Sequence, residues 1–285
     1  MSVLTQLRLF AERRLSFPVD DDALVLDVGS GDKPSWRADV LLDRYVDARF
    51  GGQRSGREEA RVTRPLFEAD AADMPFADGA FDYTICSNLL EHVPDPGGVI
   101  DELVRVSRAG YVEVPDAPSA KIVDFPSHVW WCRLEPPVDG AGEGSPGTLV
   151  LTAKTTPHAD PEVAAYLDRT GLRRDVEKVL DAQFESRVLM LHWRDRLDYR
   201  VEGEVDPALM AWALEQPGHP RTAVAGAIAA ATDVVTWRRQ RRMARRPIRF
   251  DDIVKPELRR GDGALLEKRV YRLDDGPAAP AAPAQ

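Results

Sequence analysis

Residues 23–34 read Ala23-Leu24-Val25-Leu26-Asp27-Val28-Gly29-Ser30-Gly31-Asp32-Lys33-Pro34. Leu24, Val25, Leu26 and Val28 form a short apolar run, partly β-branched, which suits a strand buried on both faces. The run holds one acid, Asp27, and ends in Gly29-Ser30-Gly31. Glycine has no Cβ, so such a turn tolerates positive φ and lets backbone N–H groups come close to a ligand. An apolar strand entering a Gly-x-Gly turn marks a nucleotide-type binding edge in α/β proteins. By itself it also fits an ordinary tight turn.

Two further stretches join it. Val40-Leu41-Leu42 is a second apolar run ending in Asp43, a carboxylate placed to accept both hydroxyls of a ribose. Then come Ala69-Asp70-Ala71-Ala72-Asp73-Met74-Pro75-Phe76 and Asp78-Gly79-Ala80-Phe81-Asp82. Phe81–Cys86 reads as a strand, followed by Ser87-Asn88-Leu89-Leu90-Glu91-His92-Val93-Pro94-Asp95-Pro96. VLDVGSGD, DAADMPFADGAFD and SNLLEHVPDP together make Ala23–Pro115 resemble the class I S-adenosylmethionine (SAM)-dependent methyltransferases, in particular the ubiquinone/menaquinone-biosynthesis type.

The resemblance implies a doubly wound, Rossmann-like α/β sheet closed by an antiparallel hairpin, with SAM as cofactor. It implies that Gly29, Ser30 and Gly31 approach the methionine part, and that Asp27 supports the turn and its contact to the amino group. Asp43 would bind the ribose and Asp70 the adenine amino group beside the backbone of Ala71, with Ser87 and Asn88 closing the pocket. The plainer alternatives are a solvated strand end for Asp43 and a turn former for Asp70. Asp73 and Asp78 read as turn residues. The chain departs from the family pattern after Gly31. Pro34 takes the third position of G-x-G-x-x-G, and only Asp32–Asp39 separates the first two strands, so a loop or short helix is expected there.

Composition bounds the rest. The 285 residues, 44% hydrophobic and 30% charged, describe a soluble chain able to fill a core. A net charge of −9 argues against a dedicated nucleic-acid binder. Two cysteines, Cys86 and Cys132, are too few for a disulfide framework and point to the cytoplasm. No apolar run reaches the ~18 residues of a membrane span, Arg8, Glu12, Arg13 and Arg14 interrupt any secretory core, and no cysteine–histidine spacing suggests a metal.

The expected organisation is an N-terminal helix in 1–21, the methyltransferase domain in 22–205, a helical extension in 206–275 and a disordered Pro/Ala tail in 276–285. Leu4, Leu7 and Ala11 predict an amphipathic first helix lying on the sheet or a ligand mouth. Asp95-Pro96 opens a helix bearing Val99, Ile100, Leu103, Val104 and Ser107 on one face. Tyr111–Val114 is the fifth strand. Val129–Leu134 and Thr148–Ala153 pair next, and Val188–Trp193 with Leu197–Val201 reads as the closing hairpin around Asp195. Thr222–Arg246 is predicted helical. Its basic end Trp237–Arg246, after apolar Ala223–Val235, allows peripheral contact of 223–246 with anionic lipid or simple packing on an acidic body.

The acceptor side is less specific. His128, just after the fifth strand, is the candidate base, and His92, Trp130 and Trp131 are candidate acceptor contacts. The alternative is that Trp130 or Trp131 fills the core and His128 caps a strand. His192 and Lys154 read as structural and as a surface lysine. The function expected is methyl transfer to a small-molecule, glycan or lipid-linked acceptor, at a hydroxyl. The alternatives are a quinone-type carbon acceptor, a dinucleotide-dependent oxidoreductase and a non-catalytic SAM-binding module. Pro34 and the Asp70 segment count against the oxidoreductase.

Overall fold

The structure is a computed structural model that describes residues 3–48, 59–137, 146–157, 160–216, 232, 234–236, 238–239 and 246–273. Its first strands follow the apolar runs. They are β1 (Val25–Val28), β2 (Val40–Asp43), β3 (Leu66–Glu68), β4 (Tyr83–Ser87) and β5 (Ala109–Pro115). The side chains of β1 are buried throughout, including Asp27, as a strand covered on both faces requires. Between β1 and β2 there is no helix, in keeping with Pro34 and the short spacing. Ahead of them lies helix α1 (Val3–Arg14), and between β4 and β5 lies α2 (Pro96–Val106). Asp95 caps α2 by accepting from Gly98 N at 2.9 Å, Pro96 fills its first position, and Val99, Ile100, Leu103 and Val106 are buried.

The later elements are α3 (Ala117–Ala120), β6 (Trp130–Glu135), β7 (Thr148–Ala153), α4 (Pro161–Thr170), α5 (Arg173–Ala182), β8 (Val188–Arg194), β9 (Tyr199–Glu202), α6 (Pro207–Leu214) and β10 (Val270–Arg272). Among the described residues the central sheet has seven strands in the order β10-β3-β2-β1-β4-β5-β8. Six are parallel, and β8 runs antiparallel to β5. Chain order reverses beside β1, where β2 lies on one side and β4 on the other. Ligands in such sheets bind outside the carboxyl ends at this switch point.

The closing hairpin needs correction. β8 takes its expected antiparallel place beside β5, but β9 leaves it and pairs with β7 in a separate three-stranded sheet, β6-β7-β9. Charge registers β9 there. Arg133 donates to Glu202 at 3.0 Å, Arg200 to Glu135 at 2.6 Å and Thr152 Oγ1 to Glu202 at 2.7 Å. The turn after β8 uses Asp195 at φ 62, a left-handed position that aspartate tolerates.

Helix α1 also differs from expectation. Leu4 and Leu7 are 79% and 60% exposed, while Arg13 is buried. The helix docks through polar groups, because Arg13 meets Glu113 of β5 and Trp36 Nε1 donates to Arg14 O at 2.9 Å.

Within 206–275 the described residues include α6, the single-turn helix Phe250–Ile253 and strand β10. The last two belong to the central core. Phe67 of β3 stacks on Tyr271 at 5.0 Å and on Phe250 at 6.0 Å, and meets Phe76 edge-on at 4.9 Å. Most of 223–246, and the tail 276–285, lie outside the described residues. Arg239 donates to Leu15 O and lies over Trp36, and Arg246 is 3.9 Å from Asp82. Among the described residues no helix is long and apolar enough to cross a membrane.

Candidate active site

The carboxyl end of β1 turns through Gly29 and Gly31, at φ 73 and φ 50. A Cβ on Gly29 would meet Leu89 Cδ1 at 2.9 Å, so this glycine is needed for backbone conformation and for close packing alike. Among the described residues a Cβ on Gly31 would meet only Gly29 O, at 3.9 Å, so within them that side of the turn is open. Ser30 between them is buried, and its Oγ has no hydrogen-bond partner. An orphaned buried hydroxyl is costly unless a ligand or water satisfies it.

Asp43 ties the turn to β2. Its Oδ2 accepts from Gly31 N at 2.7 Å and its Oδ1 from Tyr45 N at 2.8 Å. These bonds fix the carboxylate at the strand end, beside the turn. Asp27 is enclosed and accepts from Ser35 N at 2.6 Å. Burial pushes its carboxyl up to about 7, against the Ser35 hydrogen bond. Asp70 is more exposed than its expected role suggests. Its Oδ1 accepts from Ala72 N at 3.0 Å, a turn-forming bond, and its Oδ2 from Arg44 at 2.7 Å. Ala71 beside it is buried. Polar cradle, strand-end carboxylate and orphan hydroxyl suit a ligand carrying an amino acid at one end and a ribose at the other. That is the donor set SAM requires.

Glu113 joins β5 to α1 and to the residue after β4. Arg13 Nε donates to it at 2.8 Å, Tyr111 Oη at 2.7 Å and Asn88 Nδ2 at 2.8 Å. Burial raises its carboxyl, but Arg13, Tyr111 and Asn88 outweigh burial and hold it below the usual range. Asn88 N also donates to Glu113 O at 2.8 Å, and this fixes Asn88 at φ 53 beside Ser87. Sequence reading missed Glu113, although a lone acid inside the apolar strand Tyr111–Val114 is a signal that it has a partner.

Past β4 the chain makes a short turn of helix, Leu90–His92, which brings Glu91 and His92 against the segment before β6. Val129 N donates to Glu91 O at 2.8 Å, so the two segments are joined backbone to backbone. His128 Nδ1 lies 2.6 Å from Asp124 Oδ1, and His92 Nδ1 lies 3.1 Å from Ser127 O. The two imidazole rings are 4.7 Å apart. Glu91 is wholly buried, 3.9 Å from His128 Nε2, and neither of its oxygens has a hydrogen-bond partner. Burial pushes Glu91 up to about 7 and His92 down to about 3. Asp124 stays low, because His128 and Lys154 outweigh its burial.

Lys154 is not the surface lysine expected. It is 2% exposed, donates to Asp124 Oδ2 at 2.9 Å and sits 4.4 Å from the centre of the Trp131 ring. Trp130 fills the core, with Nε1 donating to Val93 O at 2.8 Å, so its indole offers no open platform to an acceptor. Trp131 is half-buried. His192 pairs with Tyr83 Oη at 3.0 Å on a different face of the sheet system. His158 and His219 lie outside the described residues.

Residues 26–112 match the family model of a methyltransferase domain. An "uncharacterized methyltransferase" of Mycobacterium sp. (strain KMS) is 37% identical over 95 residues, 32% of this chain and 36% of that one. The "Probable tocopherol O-methyltransferase, chloroplastic" of Oryza sativa subsp. japonica is 31% identical over 149 residues, 46% of this chain and 37% of that one. The chain thus spans about a third of the length of the relatives it matches. A solved structure of Haemonchus contortus phosphoethanolamine N-methyltransferase 2 in complex with SAM overlaps 40% or so of this chain, at 15% identity and a TM-score of 0.28 (41% of this chain, 29% of that one). The matched residues 26–112 run from β1 through β4 to the start of β5, the strands around the switch point.

Proposed function

From a chain whose residues 26–112 match a methyltransferase domain, we propose a SAM-dependent methyltransferase acting on a hydroxyl of a small-molecule, glycan or lipid-linked acceptor. The observation that carries the reading is the Gly29–Gly31 cradle at the switch point, with the orphan Ser30 hydroxyl inside it and Asp43 tied across it. SAM supplies an already activated methyl group on a sulfonium. The chain's task is alignment, which supplies about 7–11 kcal/mol where reactants are well positioned. Gly29, Ser30 and Gly31 hold the amino-acid end, Asp43 the ribose, and Asp70 with the Ala71 backbone the adenine. Asp70 reaches adenine by exchanging its exposed contact with Arg44, a bond of small net worth.

An oxygen acceptor is supported by the similarity to the rice probable tocopherol O-methyltransferase and by the Asp124–His128 pair. Asp124 accepts a hydrogen bond from Nδ1–H, which leaves Nε2 as the lone pair able to receive a proton from a hydroxyl. His92 and Trp131 stand next to that pair as candidate acceptor contacts.

The test is binding by calorimetry. SAM and S-adenosylhomocysteine are expected to bind and NAD is not. Asp43→Ala removes charge-assisted hydrogen bonds of roughly 1.5–3 kcal/mol each, so SAM affinity should fall at least about tenfold. Unchanged affinity in Asp43→Ala would falsify the ribose assignment.

A further inference from the structure

We propose that Glu91, His92 and His128 form a binding site for a divalent first-row cation, Zn²⁺ being the ion that suits two imidazoles and one carboxylate. One donor atom from each of the three residues lies within 4.8 Å of the others. A tetrahedral zinc site places its donors roughly 3.3 Å apart. The 3.9 Å between Glu91 Oε1 and His128 Nε2, within a donor set spanning up to 4.8 Å, is wider than this, so the ion would draw the side chains together.

Three features leave an uncommitted acceptor on each of these neighbouring groups. The Ser127 carbonyl can only accept, so His92 keeps its proton on Nδ1 and its Nε2 is a bare lone pair. The Asp124 carboxylate does the same for His128. An imidazole that donates one N–H to a carboxylate or carbonyl and offers the other nitrogen is the arrangement that outer partners impose on metal-ligating histidines. Asp124 is itself fixed by Lys154 Nζ at 2.9 Å and by Phe125 N at 2.9 Å. The third feature is Glu91, fully enclosed with both oxygens unpartnered. Lys154 offsets the charge of Asp124, whereas Glu91 meets the His128 ring at 3.9 Å without a hydrogen bond. A dication between Glu91 and the two lone pairs supplies the missing partner for all three. The Val129–Glu91 backbone hydrogen bond holds the two ligand-bearing segments together beforehand.

The site follows β4 at the carboxyl edge. Only the use of the ion on an acceptor oxygen, as a Lewis acid that acidifies the hydroxyl in place of a bare His128, rests on the proposed methyl transfer. Binding of the ion does not.

The test uses the full chain, stripped by a chelator and then separated from it. Zn²⁺ titrated calorimetrically should bind at one equivalent and raise the melting temperature. His92→Gln and His128→Gln should each weaken it at least tenfold, and Asp124→Asn by about 10–100-fold, through loss of the outer partner. Glu91→Gln keeps the volume and removes the unpartnered charge. It should therefore weaken Zn²⁺ at least tenfold without lowering the melting temperature of the metal-free protein, and this reading stands even if a histidine variant folds poorly. No Zn²⁺ binding by the wild type, or undiminished binding by Glu91→Gln, overturns the site. SAM titrated into the metal-free protein is scored separately. Its failure beside intact Zn²⁺ binding sinks the methyltransferase reading and leaves the cation site standing.

Discussion

Asp27 is enclosed in β1 with its carboxyl pushed up to about 7 by burial, beside the turn proposed to hold the amino-acid end of SAM. A carboxyl at that value is partly protonated near neutral pH. An ammonium group arriving nearby favours the ionised form and lowers the value, so binding releases a proton. Calorimetry at about pH 7, in two buffers of different ionisation enthalpy, should show fractional proton release with SAM and none in Asp27→Asn. A heat independent of buffer removes Asp27 from the amino-group contact. Sequence exposes such a residue because an acid inside an apolar strand has few other reasons to be there. The same logic applied to Tyr111–Val114 points to Glu113. Glu91 and Lys154 were not legible in this way. Both stand in polar or strand-end contexts where a charge is unremarkable, and their burial comes from chain segments distant in sequence.

At the scale of elements, the parallel strands β1 to β5 follow from apolar runs and from the turns that end them. The placement of α1 does not. Leu4, Leu7 and Ala11 share a face, yet a buried ion pair decides which face docks. Arg13 and Glu113 side chains are 2% and 4% exposed. Arg13→Ala strands a buried carboxylate that still holds Asn88 and Tyr111, and should cost about 3–5 kcal/mol in urea unfolding. Arg13→Met combined with Glu113→Gln removes both charges and should recover most of that loss. Equal losses in the single and double variants would mean that packing, rather than charge, attaches α1. β9 is a comparable case. Its short apolar alternation fits a hairpin with β8 equally well, and the charges of Arg133, Glu135, Arg200 and Glu202 select β7 only once all the strands are assembled.

At the scale of the whole molecule, the strand that borders β3 comes from the far end of the chain. β10 has three residues, Val270–Arg272, too few to show a period, and sequence reading leaves them inside a helical extension. Their register is set by contacts that are remote in sequence. Leu66, Phe67 and Glu68 pair with Val270, Tyr271 and Arg272, and Arg272 Nε donates to Glu68 at 2.6 Å. Phe250, Ile253, Val254 and Tyr271 are then as buried as β1 itself, in the same cluster as Phe67 and Phe76. A segment that shares the central core in this way should melt with it. Urea unfolding followed by far-UV circular dichroism and by tryptophan fluorescence should give one coincident transition. Phe250→Ala deletes a buried ring stacked on Phe67, a change that typically costs about 3–5 kcal/mol. It should move the whole transition to lower urea with its slope unchanged. If 246–273 were an appendage docked on a self-sufficient sheet, an early separate step would appear and Phe250→Ala would shift that step alone. That outcome would return the sheet edge to β3 and make β10 dispensable for the fold.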